Sequence, residues 1–494
     1  MPERIPINAF DMSCIMHQSP GLWARADDQS VRYKDLGYWT ELAKLLERGK
    51  FDSLFIADVI GVYDTYQGSR DASVRRAMQV PVHDPVVPVS AMAAVTEKLG
   101  FGITVSATYE QPYALARRFG TLDHLTGGRI AWNIVTSYLD GAARNLGMDR
   151  QMSHDDRYEL AAEVVDVCYQ LWEGSWEEDA VVEDRVNQVY ADPAKVHEIG
   201  HKGRFFSVPG ISLVEPSPQR TPVIWQAGTS ATGRAFAARN AEAVFTVAPT
   251  PQTLRPFVDD IRRIAAENGR DPQSIKIFTE VTTVVAETDA EAQAKYEDYL
   301  QWTDYEGALA FYAGVTGVDL SQLDPHQPLQ YVDTDSARFA LDIFSRADPD
   351  RDWTPHDVAQ FVGVGAMGPV LVGSAATVAD ELERWVEEAG ITGFNLAYAV
   401  TPGTFVDFID LVVPELQRRG RYWDDYDEGT TMRERLYGPG NSRVRDDHPA
   451  ARYRRKLEQR AQQRDIAQRG TEQGDSGPHD TGQGDVGPRD EVLA

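Results

Sequence analysis

Gly228-Thr229-Ser230 follows the short apolar run Val223-Ile224-Trp225 and opens an alanine-rich segment that reads as a helix. A strand, a glycine turn and a hydroxyl-bearing helix start together aim free backbone N–H groups and the positive end of a helix dipole at one point. An anion fits there, most simply a phosphate; the other reading is a plain N-cap, with Ser230 satisfying its own helix. The ends of the other strand-like runs carry Cys14 and His17, Asp58, Thr104 and Ser106, and Asn133 and Thr136. His154 and Tyr158 are four apart and share one helix face. These are neutral hydrogen-bonding groups around an anion seat, without a paired general acid and base. Such a set suits a large polar cofactor that brings its own reactivity.

Three motifs are decoys. His197-Glu198-Ile199-Gly200-His201 matches the zinc signature H-E-x-x-H, which works only on a helix. Pro193 upstream, Gly200 inside and Lys202-Gly203 after it argue against one, and no metal site is expected. Gly363-Val364-Gly365-Ala366-Met367-Gly368 matches G-x-G-x-x-G, but a strand-like run follows it instead of preceding it, the inverse of a dinucleotide fingerprint. Gly228 to Gly233 approaches the hydrolase elbow G-x-S-x-G, with Thr232 where the second glycine is needed, so an esterase stays as the alternative of another class.

Eight strand-like runs alternate with helices: residues 5–14, 51–58, 101–107, 129–137, the run from Pro222, then 242–248, 275–287 and 393–400. Helical periods occupy 38–50, 85–99, 112–125, a segment capped by Ser153 with Asp156, and 377–389. Nearly continuous apolar strands separated by helices mean parallel β-structure, and eight such units predict a (β/α)8 TIM barrel with long insertions. The insertions fall at 59–84, 174–218 (with a hairpin at 205–214) and 304–366. Residues 1–440 are assigned to the barrel domain. Residues 441–494 are a C-terminal extension with an Arg/Gln-rich stretch at 452–468 and a Gly/Asp decapeptide, 471–480, nearly repeated at 481–490. That composition predicts a largely disordered tail.

The 42% hydrophobic content supplies a large core. A net charge of −27 argues against nucleic acid as a partner. Two cysteines, Cys14 and Cys168, without C-x-x-C, argue against a disulfide framework. The first ten residues lack a long apolar stretch and no apolar run approaches membrane-spanning length, so a cytoplasmic protein without membrane contact is expected.

The segments I-N-A-F-D-M, F-D-S-L-F-I-A-D, S-A-T-Y, L-D-H-L-T-G-G-R-I-A-W-N-I-V-T-S, H-D-D-R-Y, A-D-P-A-K-V-H-E-I and T-P-V-I-W-Q-A-G-T-S resemble the bacterial-luciferase-like, FMN-dependent monooxygenases of the nitrilotriacetate monooxygenase component A group. The N-A-F-x-M-x-C start, W-E-G-S-W-E and P-G-T-F-V-D-F-I resemble its long-chain alkane monooxygenase branch, and the likeness spans about residues 5–455. The resemblance implies a homodimeric, two-component enzyme that takes reduced FMN from a separate NAD(P)H-dependent flavin reductase and uses O2 to oxygenate a small organic substrate, such as a long-chain alkane. Riboflavin cleavage and oxygenation of sulfones or halogenated aromatics are alternatives within the family; a non-catalytic flavin-binding protein is another outside it. By motif, Asp58, Thr104, Asn133, His154, Tyr158 and Ser230 would contact FMN. His17 would hydrogen-bond the activated oxygen or the substrate, with Cys14, Tyr63 and Gln79 lining the pocket. The insertions 59–84 and 304–366 would act as lids over a dry site. The chain departs from the alkane branch at Tyr138 and Phe311, where histidines are expected, which leaves the alkane itself open.

Overall fold

Residues 4–331, 344, 350–427 and 431–474 are described by the computed structural model. Each expected strand region forms: β1 (Ile7–Met12), β2 (Ser53–Ala57), β3 (Gly100–Ser106), β4 (Ile130–Val135), β5 (Val223–Ala227), β6 (Ala243–Thr246), β7 (Lys276–Val285) and β8 (Gly393–Ala397). All neighbours are parallel, in the order β6-β5-β4-β3-β2-β1-β8-β7, and β6 also pairs with β7, so the sheet closes on itself. The (β/α)8 barrel is therefore confirmed. A short extra strand, Val370–Gly373, pairs with the far end of β7.

Alternation along the strands sorts the side chains. Outward residues such as Ile56, Ile103 and Ile277 meet the helical layer, while inward Phe10, Phe55, Trp225, Phe245 and Phe278 fill the barrel. Their rings lie 4.9 Å (Phe10–Phe245), 5.2 Å (Phe55–Trp225) and 4.7 Å (Trp225–Phe278) apart, so the interior is a packed aromatic plug. The surrounding helices include α1 (Leu36–Arg48), α2 (Pro112–Thr126), α3 (His154–Gly174), α4 (Ala231–Asn240), α5 (Pro251–Glu267) and α6 (Ala375–Ala389). Helix α6 buries Val378, Leu382, Trp385 and Ala389, the predicted face, and stops at Gly390 with φ 69°.

The helix expected over 85–99 shrinks to Val89–Ala93. One carboxylate accounts for the lost C-terminal part. Glu47 Oε1 accepts the amides of Glu97 and Leu99, each at 2.9 Å, so these N–H groups are not available to helical carbonyls. In the insertion 174–218 the expected hairpin over 205–214 lies earlier, as His201–Lys202 paired with Ser207–Val208, and a second pair, Val181–Asp184 with Val189–Ala191, precedes it.

The N-terminal end of the barrel is closed by a helix that the sequence did not signal, Met432–Tyr437. Met432 enters the aromatic plug, Arg435 donates to the Asp52 carbonyl before β2, and Tyr437 donates to the carbonyl of Ser274 before β7. The chain after Asn441 stays with the barrel at first: Val444, Ala450 and Ala451 join the main core, and the helix Ala451–Gly474 packs on α3, with Tyr453 donating to Asp166 at 2.6 Å. The remainder of the repeat, from residue 475, lies outside the described residues.

Over the opposite end, the insertions 59–84 and 304–366 share a second apolar cluster in which Tyr63, Tyr66 and Met78 meet Leu139, Phe311 and Tyr312. Arg75 and Arg76 both pair with Glu306 across it. Residues 332–343 and 345–349 of the second insertion lie outside the described residues. Among the described residues, no helix is long and apolar enough to cross a membrane.

Candidate active site

At the C-terminal ends of the strands lies a cavity of about 550 Å³. Its wall takes Asp58 from the end of β2, Tyr63 and Gln79 from the first insertion, Tyr138 from beyond β4, His154 and Tyr158 from α3, and Ser230 from the turn after β5. Thus six of the ten residues expected at the site line one cavity. Thr104 and Asn133 are buried in β3 and β4, and Cys14 and His17 are buried after β1, so none of these four forms the wall.

Ser230 N-caps α4, its Oγ accepting the Gly233 amide at 3.0 Å, so the plain capping role is real. The same oxygen lies 3.1 Å from His154 Nε2, and His154 Nδ1 lies 2.9 Å from Asp155 Oδ1. The Tyr158 ring stands 5.1 Å from the imidazole. Two glycines keep this corner bare: a Cβ on Gly228 would come within 2.4 Å of Gln226 Nε2, and one on Gly233 within 2.7 Å of the Tyr158 hydroxyl. A helix start, a serine, an imidazole and a phenol converge on one recess, a donor set that matches a phosphate.

Deeper in the barrel, Asn133 Nδ2 donates to Thr104 Oγ1 at 2.9 Å, while Asn133 Oδ1 is buried without a hydrogen-bond partner. A buried orphan acceptor calls for a donor. Asp58 is pushed up to about 7, by burial first and by the nearby charge of Asp84 second. His17 packs edge-on to Phe10 at 4.4 Å, and burial pushes its pKa down to about 3, so the imidazole is neutral at physiological pH. Cys14 donates its thiol to the Met16 carbonyl at 3.0 Å and burial raises its pKa well above the usual value, which makes it a small apolar side chain instead of a nucleophile.

A directed chain of hydrogen bonds runs along one wall: Tyr138 donates to Tyr63 (3.2 Å), Tyr63 to Gln79 Oε1 (2.9 Å) and Gln79 Nε2 to the His17 carbonyl (3.1 Å). The Phe311 ring meets Tyr63 edge-on at 6.2 Å. Both positions at which histidines were expected, Tyr138 and Phe311, therefore touch Tyr63.

Residues 10–393 match the family model for luciferase-like monooxygenases. The chain belongs to that family. The dimethyl-sulfide monooxygenase of Hyphomicrobium sulfonivorans is 54% identical over 92% of this chain and 94% of that protein, and the solved structure of DmoA from that organism superposes with a TM-score of 0.87. The long-chain alkane monooxygenase of Geobacillus thermodenitrificans is 52% identical over 92% of this chain and 99% of its own length. A riboflavin lyase solved with modified FMN and riboflavin is 37% identical, with a TM-score of 0.82 over 92% of this chain and all of that one. This protein is accordingly an oxidoreductase of the monooxygenase class.

The remaining motifs fall away from the luciferase-like site. His197 and His201 bond to different glutamates, Glu177 at 2.8 Å and Glu163 at 3.1 Å, in a segment that is not an α-helix. The glycines 363–368 follow a helix, Pro355–Val362, and lead into Val370–Gly373. A larger cleft, about 710 Å³, lies among α3, α4 and the end of α5 on the outer layer, away from the strand ends where barrel chemistry is placed.

One group escaped the sequence reading. Glu280 lies on β7 between inward-facing Phe278 and Thr282, is only 2% exposed and has an unpartnered Oε1, and a Cβ on Gly368 would come within 3.1 Å of its Cγ. The only signal was a lone carboxylate inside a buried strand, T-E-V-T-T. Burial raises its pKa from 4.5 to about 8. The folded protein thus keeps a proton that the unfolded chain releases, so stability falls as pH rises from 4.5 through about 8. Glu280→Gln should match the parent near pH 4.5 and exceed it increasingly toward pH 8, by at most about 1.4 kcal/mol per pH unit, in urea denaturation series. Equal stability of the two proteins at pH 8 would refute this.

Proposed function

We propose that the protein is the oxygenase component of a two-component system, taking reduced FMN from a separate NAD(P)H-dependent flavin reductase and using O2 to oxygenate a small organic substrate. The observation that carries this reading is the recess formed by Ser230, His154 and Tyr158 at one end of a cavity whose other end is built from Tyr63, Gln79 and Tyr138. The residues fit a flavin mononucleotide. Ser230 and the α4 start would hold the phosphate, and the orphan Asn133 Oδ1 would take a donor from the cofactor's polar edge. Bound there, reduced FMN supplies the electrons for O2 activation. The chain's part is to bind, orient and keep water out. Neutral His17, buried beside the cavity, puts no charge next to it, and the apolar cluster joining the two insertions shields the mouth. A homodimer and a cytoplasmic location complete the reading.

The test is a substrate panel of alkanes, thioethers and sulfones with FMN, an NADH-dependent flavin reductase and O2. Reductase-dependent products are expected 16 mass units heavier than their substrates. Absence of flavin binding by the purified protein would end the proposal. A second reading rests on one observation: Ser230 Oγ, His154 Nε2 and Nδ1, and Asp155 Oδ1 stand in a serine–histidine–aspartate contact order. An esterase predicts that Ser230→Ala abolishes p-nitrophenyl ester turnover and leaves FMN affinity unchanged.

A further inference from the structure

We propose that Asp155 is a positioning residue for the phosphate recess. It holds the proton of neutral His154 on Nδ1, so Ser230 and His154 can bind a phosphate together only once His154 takes up a second proton; this rests on the flavin reading of the same recess. A carboxylate only accepts hydrogen bonds. Asp155 Oδ1 lies 2.9 Å from His154 Nδ1 and 3.0 Å from Thr232 Oγ1, which donates to it. Those two hydrogen bonds hold the Asp155 carboxyl below the usual carboxylate range. Nδ1 therefore carries the N–H, and Nε2 of a neutral imidazole is left with a lone pair. That lone pair takes the one proton of Ser230, 3.1 Å away, while Ser230 Oγ accepts the Gly233 amide.

A doubly ionised phosphate also only accepts. At Nε2 it would meet a lone pair, and the Ser230 proton is already given to His154. One proton added to Nε2 reverses both: the imidazolium donates from Nε2, and Ser230 is released to donate as well. The phosphate charge favours that state. Tyr158 adds a neutral donor, since burial raises its pKa. Among the described residues lining the cavity, Arg157 is the one fixed cation, and its Nη1 donates to the Met152 carbonyl at 2.6 Å. The other charged groups nearby are engaged: Asp156 accepts from Ser153 and faces Arg204, and Arg234 pairs with Asp260. Asp58, on the wall of the same cavity and pushed up to about 7, is the rival site for a proton.

The test is calorimetric titration of the purified protein with oxidised FMN at about pH 8, in buffers of different ionisation enthalpy, which counts the protons exchanged on binding. A phosphate monoester is doubly ionised at that pH, its second pKa being about 6, so it has none to release. The parent should take up close to one proton per FMN, and its affinity should fall by about tenfold per pH unit around pH 8. His154→Gln offers an N–H without ionising, so FMN should bind with no proton uptake. Asp155→Ala frees the imidazole to carry its one proton on Nε2, so uptake should drop below about half the parent's. FMN binding by the parent without proton uptake would overturn the proposal. So would full uptake by His154→Gln, which would assign the proton to Asp58, or by Asp155→Ala, which would show that Asp155 does not fix the imidazole. If FMN does not bind the parent at all, the flavin reading falls and this inference with it; binding without uptake removes the inference alone.

Discussion

Ser230→Ala should weaken FMN binding by about 1–3 kcal/mol, the cost of removing one charge-assisted hydrogen bond, as read by quenching of flavin fluorescence. The change also removes the cap of α4, worth about 1 kcal/mol of stability, because Ser230 Oγ accepts the Gly233 amide. A second variant separates the two effects. Ser230→Asp caps a helix as well as serine does, so the melting temperature should hold. Its carboxylate would face the phosphate, so FMN affinity should drop further than in the alanine variant. An aspartate variant that bound FMN like the parent would mean the anion sits elsewhere.

The largest loss of stability is expected at the other end of the barrel. Arg433 and Glu242 form a two-pronged ion pair, Nε to Oε1 at 2.7 Å and Nη2 to Oε2 at 2.9 Å, with side chains 0% and 3% exposed. Arg433 also donates to the carbonyls of Thr221 and Ser442, and Glu242 accepts the Ile224 amide. Burial alone would raise the Glu242 carboxyl, but Arg433 holds it below the usual glutamate value. Arg433→Met would leave that carboxylate buried and unpaired and should cost about 3–5 kcal/mol in chemical denaturation. The double variant Arg433→Met with Glu242→Gln should recover part of the loss, since glutamine still accepts from Ile224. A single-variant cost below about 1 kcal/mol would show that the helix Met432–Tyr437 is not held by this pair.

The barrel was legible because its strands are fully buried and so nearly continuous in apolar residues, and because side chains such as Val378, Leu382 and Trp385 repeat at helical spacing. The strand ends then nominated the cavity wall, from Asp58 to Ser230. What escaped depends on partners remote in sequence. Arg433 and Glu242 are 191 residues apart, and no local period marks such a pair. Glu47 cut short a helix more than forty residues away by accepting its amides. Likewise Cys14 and His17 stand at a strand end, where chemistry is expected, yet β1 turns them into the buried layer beside the cavity instead of its wall.

Tyr63 shows how selectivity and architecture can be drawn from one side chain. Its ring rests on Gly314, where a Cβ would come within 2.1 Å of it, and it stands edge-on to Phe311, while the residue also lines the cavity and its hydroxyl joins Gln79 to Tyr138. Any change there would loosen the roof at the same time as it reshaped the room below. Tyr138, half in solvent and bearing little of the roof, is the position where a new preference can be tried without that penalty.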